Sequence, residues 1–146
     1  MAKRFLLLLI VLACAGCDNT ISGPSGTPSS SSSTTTSTPF PESFEATLGP
    51  GDSMFYSFTE NAAASVTVTL ASVVQPGRTG ALSTPIRIGL GTPVGEGCTV
   101  TDSTDATPAL TPQLTVAMAA GVHCVWVGDA GQLTGTVIAA VRFIHQ

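Results

Sequence analysis

Charge is what this chain has least of. Charged side chains are 10% of its 146 residues, against about 25% in an ordinary soluble protein. Beyond Lys3 and Arg4 the only cations are Arg78, Arg87 and Arg142, set against all nine carboxylates, so the chain from Cys17 onward carries a formal net charge of −6. Binding to nucleic acid needs a positive patch that displaces counterions from phosphates, and that class is excluded. Imidazole is equally scarce, with His123 and His145 alone and no H-x-H or C-x-x-C spacing. A metal centre wants several ligands close together in sequence or space, so no metal and no cofactor is expected, and both histidines are expected at the surface. No serine sits in a G-x-S-x-G elbow. No acid–base pair suggests itself either, so the expectation is a protein that is not an enzyme. Long apolar runs are missing too. The longest, Phe5 to Ala13, is under half of the roughly 20 residues that span a bilayer.

That short run is the most informative stretch present. Lys3 and Arg4 precede it, and Ala15 and Gly16 lead from it into Cys17. A positive n-region, a short apolar h-region and a small-residue cleavage site make a secretory signal peptide. With Cys17 at the cleavage point it resembles a bacterial lipoprotein signal, which implies that Cys17 is acylated and becomes the mature N-terminus. Cys14 stands three residues ahead of it, where the lipoprotein pattern has Leu, Val or Ile. Modification at Cys14 is the alternative, with Val11 in that place and an unusually short signal. Two or three acyl chains, at about 0.8 kcal/mol per buried methylene, hold a protein on a membrane without a helix. Asp18 resembles the inner-membrane retention signal of enteric lipoproteins, a rule that is not general, so either membrane of the envelope fits.

Residues 19–41 are almost all Ser, Thr, Pro, Gly and Asn. They have too little to bury to offset the entropy of ordering, and are expected to be a disordered tether. About 5–6 Å times the square root of the residue number gives a mean reach of roughly 25–30 Å. The expected organisation is a signal peptide over 1–16, a lipidated Cys and linker over 17–41, and one folded domain over 42–146.

Within that domain the pattern is short alternating runs between Gly, Pro, Asn and Asp. Strands are expected at Phe44–Leu48, Ser53–Thr59 (Met54, Tyr56 and Phe58 on one face) and Ser65–Leu70 (Val66, Val68 and Leu70 inward), and around Ile86, Ile88 and Leu90. Others are expected at Cys98–Thr101, around Leu114, Val116 and Met118, and at Val122–Asp129 and Thr136–Ile144. Gly49–Asp52, Gln75–Pro85 and Gly91–Gly97 read as turns or loops. This is an all-β chain, an antiparallel jelly-roll-like sandwich of about 7–9 strands.

Two stretches carry a family resemblance. T-L-G-P-G-D-S-M-F-Y-S-F (Thr47 to Phe58) and A-A-G-V-H-C-V-W-V-G-D-A-G (Ala119 to Gly131) look like the opening and a later strand of the bacterial pre-peptidase C-terminal domain. The resemblance implies a jelly-roll-like sandwich of the kind appended to secreted proteins, some of which bind calcium or matrix polymers.

Cys98 and Cys124, an even pair in an exported domain, are expected to form a disulfide. Asp102, Asp105 and Asp129 are read as turn-capping carboxylates, with convergence on a calcium ion as the alternative. Trp126 is expected to pack in the core, with a ligand platform as the alternative. The function expected is a non-catalytic, membrane-anchored envelope lipoprotein presenting its sandwich for protein interaction or envelope assembly. The alternative is a carbohydrate- or polymer-binding module, which a flat, exposed pair among Phe40, Phe55 and Trp126 would favour.

Overall fold

The computed structural model describes residues 38–146; the expected signal peptide, Cys17 and most of the expected linker lie outside them. Eight strands follow one another: β1 (Phe40–Leu48), β2 (Ser53–Glu60), β3 (Ala64–Val74), β4 (Ile86–Val94), β5 (Gly97–Ala106), β6 (Leu114–Met118), β7 (Gly121–Asp129) and β8 (Val137–His145). They form two four-stranded antiparallel sheets, ordered β1-β8-β3-β6 (sheet A) and β2-β7-β4-β5 (sheet B). Every consecutive pair except β4–β5 changes sheet. That is the eight-stranded jelly roll, two Greek keys folded face to face.

Period-2 alternation builds the core between the sheets. From sheet A come Ala46 and Leu48, then Val66, Val68 and Leu70, then Val137, Ala139, Val141 and Phe143; from sheet B come Phe58, Ile86, Ile88, Leu90, Val125 and Val127. The β1–β2 turn is a type II turn. Asp52 N donates to Gly49 O at 3.1 Å, with Pro50 second and Gly51 third at a φ of 78°, where a side chain would be strained. Register slips once in β3, between Leu70 and Ser72. There the Gln113 side chain stands in for a strand, its Oε1 accepting from Leu70 N at 2.8 Å and its Nε2 donating to Thr107 O at 3.0 Å.

Three regions differ from the sequence reading; β3, for one, runs on past Leu70 to Val74. β1 begins at Phe40, ahead of Phe44, and the proline it gains at Pro41 is tolerated because β1 is an edge strand. Gly91–Val94, expected as a turn, continues β4. The true turn is only Gly95-Glu96, a two-residue hairpin with positive φ confined to Gly95, the II′ arrangement that suits a Gly-first loop. β5 accordingly runs to Ala106 and takes in Asp102 and Asp105.

Candidate functional site

The outer face of sheet B departs from the hydroxyl-rich solvent face such a sheet ordinarily shows. Strands β2, β7 and β4 place Phe55, Trp126 and Gly89 in one row across the sheet. Trp126 is therefore on the outside of the sandwich, not in its core as expected, and both it and Phe55 are half-buried. The indole lies down along its own strand. Its Cζ2 stands 2.6 Å from where a Cβ would sit on Gly128, so only glycine fits beneath the ring. Gly128 pairs with Arg87 in the next strand, which brings the end of the indole beside an exposed ion pair. Arg87 donates through Nε to Asp105 Oδ1 at 2.6 Å and through Nη2 to Oδ2 at 3.0 Å. That fork holds the Asp105 carboxyl below the usual carboxylate range and raises the Arg87 pKa.

A disulfide closes the adjacent side of this face. Cys124, fully buried, alternates with Trp126 and is bonded to Cys98 of β5. β4 lies between those two strands, so in a flat sheet their Cα atoms would be roughly 10 Å apart or more. Their 6.2 Å separation shows that the β4–β5 hairpin folds over toward β7. Two features permit the fold. A register slip between Leu90 and Gly91 leaves Thr101 as a bulge, which bends a strand. Gly91 and Gly89 carry no side chain where the Val100 backbone and side chain press down, Val100 Cα being 2.8 Å from a Cβ position on Gly91. Past Gly91, β4 no longer pairs with β7, which is why Pro93 fits there. Cys98 and Cys124 thus meet as the sequence suggested. Cys17, the expected lipidation site, lies outside the described residues.

A second cluster sits between the sheets at the opposite end of β2, and the sequence reading missed it. Glu60 is 1% exposed, and its carboxylate accepts from Gln146 N at 3.2 and 3.1 Å. His145 is buried, in contrast to the surface position expected. Its Nε2 lies 3.1 Å from Glu42 Oε1 and its Nδ1 3.7 Å from Glu60 Oε1. Phe58 and Phe143 pack against the ring. The Glu42 carboxylate beside the Tyr56 hydroxyl raises the tyrosine pKa. His123 is half-buried and bonds through Nε2 to Ala119 O at 2.8 Å. Glu60 was visible in principle, since it continues the inward phase Met54, Tyr56, Phe58. Two carboxylates and an imidazole are brought together here, but the imidazole is wedged between them and Glu60 is sealed. The two clefts beside the loop 75–85 are lined by other residues, including Gln75, Leu82 and Leu133. The cluster is positioned as a buried polar network, which is costly when only partly satisfied.

The three aspartates part company. Asp105 pairs with Arg87, and Asp102 lies 3.0 Å from Thr101 Oγ1. Asp129 caps a loop, its Oδ1 accepting from the backbone N of Gly131, Gln132 and Leu133 at 2.8–3.0 Å and its Oδ2 from Gly51 N at 2.9 Å. These bonds, that from Gly51 foremost, lower its pKa. Among the described residues no three His, Cys, Asp or Glu side chains group as a metal site would require.

The stretches that resemble the pre-peptidase domain form the neighbouring strands β2 and β7. No protein-family model matches the chain, and no curated protein matches it.

Proposed function

We propose that this is a lipid-anchored, non-catalytic envelope protein whose sandwich binds an extended envelope polymer through the outer face of sheet B. The carrying observation is the Phe55–Trp126 row, two flat aromatic side chains left half-open on a face with no role in the inter-sheet core. A half-buried aromatic platform with fixed polar groups at its rim is the usual make-up of a binding surface. The anchor rests on the Lys3–Cys17 signal pattern, and residues 18–37 supply reach. An accessory-domain relationship of the pre-peptidase type fits the same reading and is supported by the two resembling stretches.

A protein-assembly role is the second reading. It is favoured by the open side of the sandwich between β1 and β2, where Phe40 is 62% exposed, Met54 43% and Tyr56 41%. Phe44 and Tyr56 are stacked there with ring centroids 5.7 Å apart. Crosslinking in living cells, followed by recovery from the membrane fraction in mild detergent, separates the two. Glycan attached to the protein supports the polymer reading. A single stoichiometric protein partner supports assembly instead. Cys17→Ala is expected to release the protein from membranes; retention with an acylated N-terminus would move the anchor to Cys14.

A further inference from the structure

Resting on the polymer reading, we infer that the ligand is a neutral polysaccharide of flat pyranose rings, stacked on Trp126 and read through its hydroxyls by the Arg87–Asp105 pair. Three features of the face point to that chemistry. First, a pyranose whose hydroxyls are equatorial presents an apolar C–H face and a polar perimeter. The Trp126 indole, partly exposed with its six-membered ring over Gly128, offers such a face an apolar partner. Second, Gly128 pairs with Arg87, one strand spacing of about 4.8 Å away. The polar perimeter of a stacked sugar therefore falls on a guanidinium and a carboxylate already locked together by two hydrogen bonds. A donor and an acceptor held side by side suit vicinal hydroxyls, each of which both donates and accepts. Because the pair is already formed, little side-chain entropy remains to be lost on binding.

Third, charge and shape narrow the ligand class. Among the described residues Arg87 is the only cation placed on this face, and it is neutralised by Asp105, within a chain of net charge −6 from Cys17 onward. An anionic polymer gains nothing there. The face is a sheet surface bounded on one side by the hairpin that the Cys98–Cys124 bridge folds over, so it accommodates the interior of a chain rather than enclosing a small molecule.

The test is depletion of the full-length protein, in mild detergent, by insoluble β-1,4-glucan, β-1,3-glucan and chitin, with a soluble polyuronate as the anionic comparison. The wild type is expected to be retained by at least one neutral glycan and to ignore the polyuronate. Trp126→Ala is expected to weaken retention about tenfold or more, the loss typical of an aromatic anchor. Trp126→Phe keeps a flat ring and most of the binding, which separates loss of stacking from loss of folding. Arg87→Lys keeps the charge but not the fork, and is expected to weaken binding about threefold or more and to change the preference among glycans. Arg142→Ala, on the opposite sheet, leaves retention unchanged. Equal retention of Trp126→Ala, or tighter binding to the polyuronate than to any neutral glycan, overturns the proposal. Failure of all neutral glycans overturns it too. If Trp126→Ala then also abolishes a crosslinked adduct formed in cells, the face survives as the binding surface and only the ligand class is wrong. If the adduct persists, the polymer reading falls as well.

Discussion

The two sheets of this sandwich bury much the same kind of inner face and present very different outer ones. On sheet A the outward positions are Ser43, Glu45 and Thr47 in β1, Ile138, Ala140, Arg142 and Ile144 in β8, and Thr67, Thr69 and Ser72 in β3. Half of these positions are hydroxyls, Ile138, Ala140 and Ile144 are confined to β8, and Arg142 is flanked by Ser43 and Thr69. On sheet B the outward hydroxyls of Ser53, Ser57, Thr59 and Ser103 share the face with Phe55, Trp126, Val100, the disulfide and three glycines that make room beneath them. Closing a jelly roll requires only the inner faces to be apolar. The apolar layer outside sheet B is therefore surplus to the fold, and it is the feature on which the proposed binding role rests.

That contrast can be broken in graded steps. The largest effect is expected from removing the bridge. In the chain-entropy model, closing a loop between residues 26 apart in sequence contributes about 3.5 kcal/mol. Cys98→Ala with Cys124→Ala should then lower Tm by more than about 10 °C, while Thr67→Ala on the outer face of sheet A should change stability by no more than about 0.5 kcal/mol. Calorimetry on both variants checks this, and equal effects would erase the distinction between the faces. Next comes Trp126→Ala, expected to cost about 1–2 kcal/mol. A fully buried aromatic such as Phe143 should cost about 3–5 kcal/mol when cut to alanine. A cost for Trp126 as large as that for Phe143 would make the indole a core residue rather than a platform.

Asp129 links the β7–β8 loop to the β1–β2 turn, at the far end of β7 from His123, and its effect is pH-dependent. Its folded pKa is lowered below the ordinary value of 3.8, so its contribution is fully present above that value and is lost as pH falls through the lower folded pKa. Asp129→Asn keeps one acceptor but cannot serve both Gly51 and the three loop amides. The Tm difference between wild type and Asp129→Asn should be largest near neutral pH and close as the solution is acidified below about 3.8. A difference that stays constant across that range would remove the carboxylate from the account. The smallest effect on stability is expected for Arg87→Ala, since an exposed ion pair contributes little to folding. Its thermal midpoint should stay close to that of the wild type while glycan retention falls, a separation that a structural role for the pair would not produce.

Much of this was legible in the chain. S-V-T-V-T-L (Ser65–Leu70) is strict alternation and became the first half of β3; G-P-G-D (Gly49–Asp52) became a type II turn. The two thiols of the sandwich found each other. What was not legible has a common physical cause, which is that a residue type was read by its usual role. Gly91 looked like punctuation, whereas its missing side chain admits the folded hairpin. His145 looked like a surface residue and Glu60 drew no reading at all, whereas strand phase carries both inward, to Glu42 for the one and Gln146 N for the other. Trp126 looked like core because it is large and apolar, but alternation with Val125 and Val127 turns it outward. For His145 and Trp126 the phase of the strand decided against composition.

The account stands or falls on which face meets the ligand. Amide chemical shifts of the full-length protein, followed while a soluble oligosaccharide of the retained glycan is titrated in, read this residue by residue. The account predicts that the shifts concentrate at Ser53–Ser57, Arg87–Gly91 and Cys124–Gly128, with Thr67, Ser72 and Arg142 unmoved. Shifts gathered on sheet A, or along Phe40, Phe44 and Tyr56 at the β1–β2 side, would contradict it.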